Sequence, residues 1–282
     1  MTQTLATSRS TWPTRPPRLV ATDLDGTLLD PGGVVSPRTS AALRDAEDAG
    51  IEVVFVTARP PRWLAPLAPH VAGHGVAICA NGAAVVEVAT GRVLAERGMT
   101  AQLVTELAAA LRSTLGEVHL AVERAEGFAA ERGYHDVHVV PPDSPVADRI
   151  EDVLTDSTLK LLVRTGTDHG DRHSAAVQAA IGTSALAVDS GAVGLGEISA
   201  LDVTKARALA RWAQERGVPA EDVWACGDAP NDLPMLAWAG ESFAVANAYD
   251  DVRAHARHAC PANGDDGVAA VLEHATALAR RA

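Results

Sequence analysis

The chain has 282 residues, of which 47% are hydrophobic and 21% are charged, and its formal net charge at pH 7 is -12. These values are typical of a globular protein with one large or two ordinary domains. The acidic balance argues against nonspecific nucleic-acid binding, which needs a basic face. No apolar stretch approaches the roughly 18 residues that a membrane span requires. The three cysteines, Cys79, Cys226 and Cys260, are isolated in the sequence. Cys79 and Cys226 lie in apolar runs, which predicts buried reduced thiols and hence a cytoplasmic protein.

The amino-terminal part of the chain predicts a short leader followed by β/α units. Residues 1–17 are rich in Ser, Thr and Pro and lack the apolar middle of a secretory signal, so a disordered leader is expected there. From 18 to 81 the pattern is β-α-β-α-β, with a helix inside 34–51 that Ser36 can cap. Its apolar strand-like runs all end in polar residues. This arrangement indicates a parallel sheet with one active edge.

The middle of the chain has a different character. A hairpin is predicted at 83–97, a helix at 100–115, and helical patterns near 145–154 and 171–181. Further strands are expected at 118–123, 159–164, 186–189 and 194–198. After residue 200 the β/α rhythm resumes, with a helix at 202–216, strands at 223–226 and 243–246, and helices near 249–257 and 265–280. The predicted fold is therefore α/β: a Rossmann-like parallel-sheet core at 18–82 and 199–282, and an α+β cap inserted at 83–198.

Two features of the sequence point to chemistry at the active edge. Asp23 and Asp25 end the first apolar run, although Asp is depleted in strands. Buried carboxylates at such a position cost stability unless a cation joins them. In addition, only Lys160 and Lys205 are lysines among 24 basic residues, so a retained lysine suggests a need for a compact point charge. Lys160 lies in an apolar run, where a solvated strand face is the expected environment.

Four segments in order resemble the motifs of the haloacid dehalogenase superfamily. They are the Asp23-Leu-Asp25-Gly26-Thr27 segment, Thr57, Lys205, and the segment from Gly227 to Asp232. The stretches beginning at Asn81, Asn247 and Asp266 are similar to the Cof-type branch of cap-bearing phosphatases in that superfamily. Ala206 departs from the glycine that commonly follows the motif lysine. The cap sequence matches nothing diagnostic, which leaves the substrate open.

The resemblance implies a nucleophile and a metal site. Asp23 would attack phosphorus and form an aspartyl-phosphate. Because two negatively charged reactants repel each other, a metal must bridge them, and Mg²⁺ suits an all-oxygen site. The implied protein ligands are the Asp23 carboxylate, the Asp25 backbone carbonyl and Asp228. Asp25 would also protonate the leaving oxygen and then deprotonate the attacking water.

The resemblance also implies the groups that hold the phosphoryl. Thr57 would hydrogen-bond to it beside the backbone of Ala58, and Lys205 would neutralise oxygens of the nucleophile and the phosphoryl. Asn231 would contact the phosphate. Asp232 would orient metal-bound waters or Lys205. Arg59 is either a substrate contact or part of a surface ion pair.

Three functions remain open at this point. The leading one is a magnesium-dependent phosphatase acting on a small phosphorylated metabolite, with sugar phosphates as the first substrate guess by resemblance. A phosphomutase on the same core would return the phosphoryl group to sugar instead of water. A catalytically silent regulatory or binding protein is the third, although an idle site has no need of so much unpaired charge. No nucleic-acid or membrane partner is expected, and the protein is expected to be a monomer or homodimer.

Overall fold

The computed structural model describes residues 12–70, 75–135, 140–165, 173–188 and 194–282. Its strands, in chain order, are β1 (Leu19–Thr22), β2 (Glu52–Val56), β3 (Val76–Cys79), β4 (Ala84–Glu87), β5 (Val93–Glu96), β6 (Val118–Arg124), β7 (Gly127–Glu131), β8 (Val146–Ala147), β9 (Lys160–Thr165), β10 (Leu186–Val188), β11 (Gly196–Ser199), β12 (Val223–Gly227), β13 (Glu241–Val245) and β14 (His258–Cys260). Its α-helices are α1 (Pro37–Asp48), α2 (Ala101–Leu115), α3 (His173–Ile181), α4 (Lys205–Glu215), α5 (Leu233–Trp238), α6 (Asp250–His255) and α7 (Gly267–Ala279).

The larger sheet is the frame of the molecule and has the order β14-β13-β12-β1-β2-β3-β4-β5. From β14 to β3 the neighbouring strands are parallel, and β1 lies between β12 and β2 with all four of its residues buried. Parallel strands covered on both faces read as continuous apolar runs, as these do. Because the strands are parallel, their carboxyl ends meet at one edge, as the sequence predicted.

The hairpin formed by β4 and β5 belongs to this sheet. β4 pairs antiparallel with β3, and β5 pairs antiparallel with β4. The prediction that the cap begins at residue 83 is therefore wrong for the hairpin. The sequence pattern of a hairpin indicates only that its two strands pair with each other. Which sheet the hairpin joins depends on a third strand, here β3, which pairs with β4.

A second, six-stranded sheet forms the cap, with the order β10-β11-β9-β6-β7-β8. Helices α2 and α3 pack against each other, and their apolar side chains share one core cluster with one face of β6, β9 and β11. The helix predicted near 145–154 is wrong, because the chain there forms the short strand β8 and a 3₁₀ turn at Ile150–Val153. The structure also adds β7 and β14, for which no strand was predicted.

The segment 12–17 is packed onto the core. Trp12 is 6% exposed, and its Nε1 donates a hydrogen bond to the Ala259 carbonyl at 3.1 Å. The Pro13 carbonyl lies 2.7 Å from Nε2 of His274. The prediction of a disordered leader is thus wrong for 12–17, while 1–11 lie outside the described residues. Among the described residues, no helix combines the length and the apolar character needed to cross a membrane.

Candidate active site

A sharp turn after β1 carries the first two candidate carboxylates. Asp23 follows the strand directly, and Gly26 has a left-handed backbone with φ of 80°. A Cβ atom on Gly26 would lie 2.4 Å from Oδ2 of Asp228, so glycine is needed here for space as well as for conformation. The Asn247 side chain donates to the Gly26 carbonyl at 2.7 Å and holds the turn from the far side. The turn therefore brings the end of β1 against the end of β12.

Three carboxylates and one ammonium meet at this edge. Asp23, Asp228 and Asp232 each offer an oxygen within 4.8 Å of the others, and their exposures are 5%, 9% and 0%. Nζ of Lys205 lies 2.6 Å from Oδ1 of Asp23 and 2.7 Å from Oδ1 of Asp232. Lys205 is the first residue of α4, and Thr204 caps the helix by accepting from the Arg207 amide. One ammonium against three buried carboxylates leaves an excess of negative charge.

The electrostatics of the cluster reflect this excess. Burial raises the pKa of Asp23 despite the opposing effect of the Lys205 ammonium, and the Asp232 charge raises it further. Burial also raises the pKa of Asp228 to about 6, while the hydrogen bond from Thr27 opposes the shift. Burial would lower the pKa of Lys205, but the carboxylates of Asp23 and Asp232 raise it overall. Lys205 is therefore held as a cation. A second cation beside the carboxylates would reduce the repulsion among their negative charges.

The hydrogen bonds separate the possible metal ligands from the supporting group. Oδ2 of Asp232 accepts from the backbone amides of Asp228 and Ala229, both at 3.1 Å, while its Oδ1 accepts from Lys205. Both oxygens of Asp232 are thus occupied. Within the described residues, Oδ2 of Asp23 has no protein donor, and Asp228 uses only Oδ1, toward Thr27 at 2.6 Å. Carboxylate oxygens with unused lone pairs and an excess negative charge fit a hard divalent cation held by Asp23 and Asp228.

Asp25 lies outside the buried cluster. Its side chain is 58% exposed and forms a bidentate ion pair with Arg59, with Nη2–Oδ1 and Nε–Oδ2 distances of 2.6 and 2.8 Å. Arg59 was predicted to be either a substrate contact or an ion-pair partner, and here it is an ion-pair partner. Both residues line the large cavity at the carboxyl edge of the sheet. The pair therefore lies at the entrance to the cluster.

The residues after β2 and β12 occupy different depths. Thr57 is fully buried, its Oγ1 accepts from the Arg59 amide at 3.0 Å, and it does not line the large cavity. Ala58 does line it, as does Asn231. The Asn231 side chain donates to Oδ1 of Asn81 at 3.4 Å. Of the predicted phosphoryl contacts, Ala58, Asn231 and Lys205 thus border the cavity, and Thr57 lies behind it.

The cavity has a volume of about 570 Å³ and its upper wall comes from the cap. The cap side chains in that wall are Glu123, Lys160, Leu162, Leu195 and Glu197. Lys160 is 3% exposed and its Nζ lies 2.5 Å from Oε2 of Glu197, so the predicted solvated strand face is wrong. Sequence reasoning missed this wall. The one available signal was the scarcity of lysine, which singled out Lys160 as well as Lys205.

The chain is similar to known proteins along most of its length. Residues 20–272 match the family described as haloacid dehalogenase-like hydrolase. The 5-amino-6-(5-phospho-D-ribitylamino)uracil phosphatase YcsE of Bacillus subtilis (strain 168) is 27% identical over 266 residues, covering 91% of this chain and 95% of that protein. The pyridoxal phosphate phosphatase YbhA of Escherichia coli (strain K12) is 27% identical over 267 residues, covering 89% and 96%.

Solved structures share the whole architecture. BT1666 from Bacteroides thetaiotaomicron, a phosphatase of the same superfamily, superposes with a TM-score of 0.77 at 24% identity and covers 98% of this chain and 100% of its own. The sugar phosphatase BT4131 gives a TM-score of 0.74 at 18% identity, with coverages of 91% and 98%. The chain therefore belongs to the haloacid dehalogenase-like hydrolases and is a Cof-type, cap-bearing phosphoric monoester hydrolase.

Proposed function

We propose that this protein is a magnesium-dependent phosphatase that hydrolyses a small phosphorylated metabolite through an aspartyl-phosphate on Asp23. The observation that carries the proposal is the bridge from Lys205 to Asp23 and Asp232 beside Asp228. Phosphoryl transfer depends on positioning and on charge stabilisation, and this cluster supplies both. Asp23 attacks phosphorus while Lys205 balances charge on the nucleophile and on the incoming phosphoryl oxygens.

Mg²⁺ is the cation that best suits the all-oxygen donor set. The Asp23 carboxylate, the Asp25 backbone carbonyl and Asp228 would hold it, and Asp232 would support the site through Lys205 and the backbone amides after β12. When bound, it would neutralise charge between the two anionic reactants. Asp23 and Asp228 support this assignment because each has an oxygen without a protein donor among the described residues.

Asp25 is proposed as the general acid and base. It would give a proton to the ester oxygen as the P–O bond breaks, and then take a proton from the water that attacks the aspartyl-phosphate. Because Arg59 holds both of its carboxylate oxygens, that ion pair must open when the substrate enters. Thr57, Ala58 and Asn231 are proposed to hold the phosphoryl group. Thr57 would reach it only if the 57–59 loop adjusts, since its side chain is buried here.

The substrate class follows from the cavity and from the relatives. A volume of about 570 Å³ is within the usual range for a small-molecule site. The names of the relatives specify a ribitylaminouracil phosphate, pyridoxal phosphate and a sugar phosphate. We propose a phosphomonoester of this size for the present chain, a sugar phosphate being the first choice, and a protein that acts as a monomer or homodimer. Its free buried cysteines suit a reducing compartment such as the cytoplasm.

The test is phosphate release from a panel of phosphorylated metabolites, with Mg²⁺ or with a chelator. We expect release by the native protein only with the metal. Asp23→Asn should reduce the rate by at least about 10³-fold, because it removes the attacking charge. Asp148→Asn, at a cap position whose side chain is 82% exposed, is the matched control and should retain full activity. Rapid turnover by Asp23→Asn would contradict the covalent route, and turnover only with a sugar bisphosphate would indicate a mutase.

A further inference from the structure

Both lysines of this chain lie in the wall of one cavity. Lys160 and Lys205 are the only lysines among 24 basic residues, and they are separated by 45 positions in the sequence. Each is 3% exposed, and each forms a short ion pair with a carboxylate. The mechanism uses Lys205 and leaves Lys160 without a role. An ammonium is a compact point charge, whereas a guanidinium is a planar fork. The presence of lysine at both positions therefore suggests that this cavity wall requires a compact ammonium at each of them.

The cap sheet directs Lys160 toward this cavity. Side chains alternate between the two faces of a strand, and Leu161 belongs to the core cluster that includes α2 and α3. Lys160 and Leu162 are on the opposite face of β9. In the sheet register, Glu123 of β6 is opposite Lys160, and Glu197 of β11 is opposite Leu162. One face of the cap sheet therefore presents two carboxylates and one ammonium to the site below.

The hydrogen bonds leave Lys160 with unused donors. An ammonium has three N–H groups. Among the described residues, Nζ of Lys160 makes one hydrogen bond, to Oε2 of Glu197 at 2.5 Å. The nearest alternative acceptor by register, Glu123, has both carboxylate oxygens engaged by Arg62 at 2.7 and 2.9 Å. A buried ammonium with open donors at a cavity wall is an arrangement that a ligand oxygen would complete.

The charges of this wall limit what that oxygen belongs to. Lys160 is balanced by Glu197, and Glu123 is balanced by Arg62, so the four side chains together have no net charge. An anionic leaving group would have to compete with Glu197 for the ammonium and with Glu123 for the Arg62 guanidinium, because each cation of this wall is already paired with a carboxylate. An uncharged acceptor, such as a hydroxyl or carbonyl oxygen, would complete the ammonium without that competition.

We propose that Lys160 is a specificity-determining residue that donates a hydrogen bond to an uncharged oxygen on the leaving group of the substrate. The inference rests on the proposed phosphatase function and adds the substrate class: monoesters of uncharged, oxygen-bearing alcohols, in preference to alkyl phosphates and to esters that carry a second anion. Lys160 has no part in the phosphoryl transfer itself, which is carried by the opposite wall of the cavity.

The experiment compares three six-carbon phosphate esters: sorbitol 6-phosphate, hexyl phosphate and 6-phosphogluconate. The value of kcat/KM is measured for each with the native protein, with Lys160→Met, and with the double variant Lys160→Met, Glu197→Gln. The double variant avoids leaving Glu197 buried without its cation, so that loss of folding cannot imitate loss of recognition. Arg132→Met, which removes an exposed cap arginine, is the control. Thermal melts accompany all four proteins.

The native protein should prefer sorbitol 6-phosphate to both other esters. In both Lys160 variants the ratio of kcat/KM for sorbitol 6-phosphate over hexyl phosphate should fall by about 10- to 100-fold, the range for a lost hydrogen bond to a charged group. Arg132→Met should keep the native ratio. An unchanged ratio, an equal loss on all three esters, or a native preference for 6-phosphogluconate would overturn the assignment. Absence of turnover by the native protein on any phosphate ester would instead refute the proposed function.

Discussion

Replacing Lys205 by arginine tests the centre of the site while preserving its formal charge. Nζ of Lys205 makes two contacts, 2.6 Å to Asp23 and 2.7 Å to Asp232, in a position that is 3% exposed. A planar guanidinium cannot direct a single nitrogen to both carboxylates without shifting one of them. A misplacement of about 1 Å at the reacting groups can reduce the rate on the order of 10²-fold. We therefore expect kcat/KM to fall by roughly that factor.

The same substitution should weaken the fold only moderately. Forcing extra atoms into a packed interior typically costs about 1–3 kcal/mol. For a chain of this size, each kcal/mol lowers the melting temperature by about 2–4 °C. Lys205→Arg should therefore remain folded at 25 °C with a lower melting temperature. The assay is phosphate release at saturating Mg²⁺, together with a thermal melt.

A control on the same helix separates charge from geometry. Arg207 lies two positions further along α4, and its side chain is 57% exposed. Arg207→Lys should change neither the rate nor the melting temperature measurably, since surface ion pairs contribute about 0–1 kcal/mol. Full activity in Lys205→Arg would refute the reasoning and remove Lys205 from the site. An equal loss in Arg207→Lys would show that the helix, and not the ammonium, is responsible.

Three further predictions follow from the same contacts. Asp25→Asn should keep its Mg²⁺ affinity, measured by calorimetry, but lose about 10²- to 10⁴-fold in rate, whereas Asp228→Asn should lose affinity; equal losses of affinity would contradict this division of roles. Burial raises the pKa of Asp228 to about 6 in the folded protein, above its value of about 4 in the unfolded chain. Between these two values the folded protein binds the proton more tightly than the unfolded chain does, so the metal-free protein should lose stability as pH rises from about 4 through 6. Melts with and without Mg²⁺ should accordingly show a larger metal effect at pH 7.5 than at pH 5, and an equal effect would count against the site. Trp12→Ala should lower the free energy of unfolding by about 3–5 kcal/mol in denaturant titrations, because Trp12 is buried and packs edge-on at 5.3 Å from Phe243. The value of kcat should be retained, since Trp12 does not line the large cavity, and an unchanged unfolding midpoint would contradict the prediction.

Local sequence patterns predicted most of the strands and helices because burial on both faces leaves a readable signal. The runs that became β1, β2, β3 and β12 are continuous apolar segments, and each ends where polar residues begin. The cap of α1 was also predictable, since Ser36 accepts a hydrogen bond from the Thr39 amide as an N-cap residue should. β7 was missed because its sequence, Gly-Phe-Ala-Ala-Glu, has one large apolar residue and no alternation, and the three-residue β14 is too short for a period to emerge.

The residues of the candidate cluster could be predicted from the amino-acid sequence, because strand ends in a parallel sheet converge wherever the strands pair. Asp23 and Asp228 meet for that reason, and Lys205 reaches Asp23 from the first turn of α4. The partners that come from elsewhere in the chain depended on the tertiary fold: the hairpin joined the core sheet, Arg59 took both oxygens of Asp25, and the face of the cap sheet that holds Lys160 became buried. Alternation along β9 specifies that one face holds Lys160, but whether water or another sheet covers that face depends on how two distant segments pack. Local periodicity has no information about that packing.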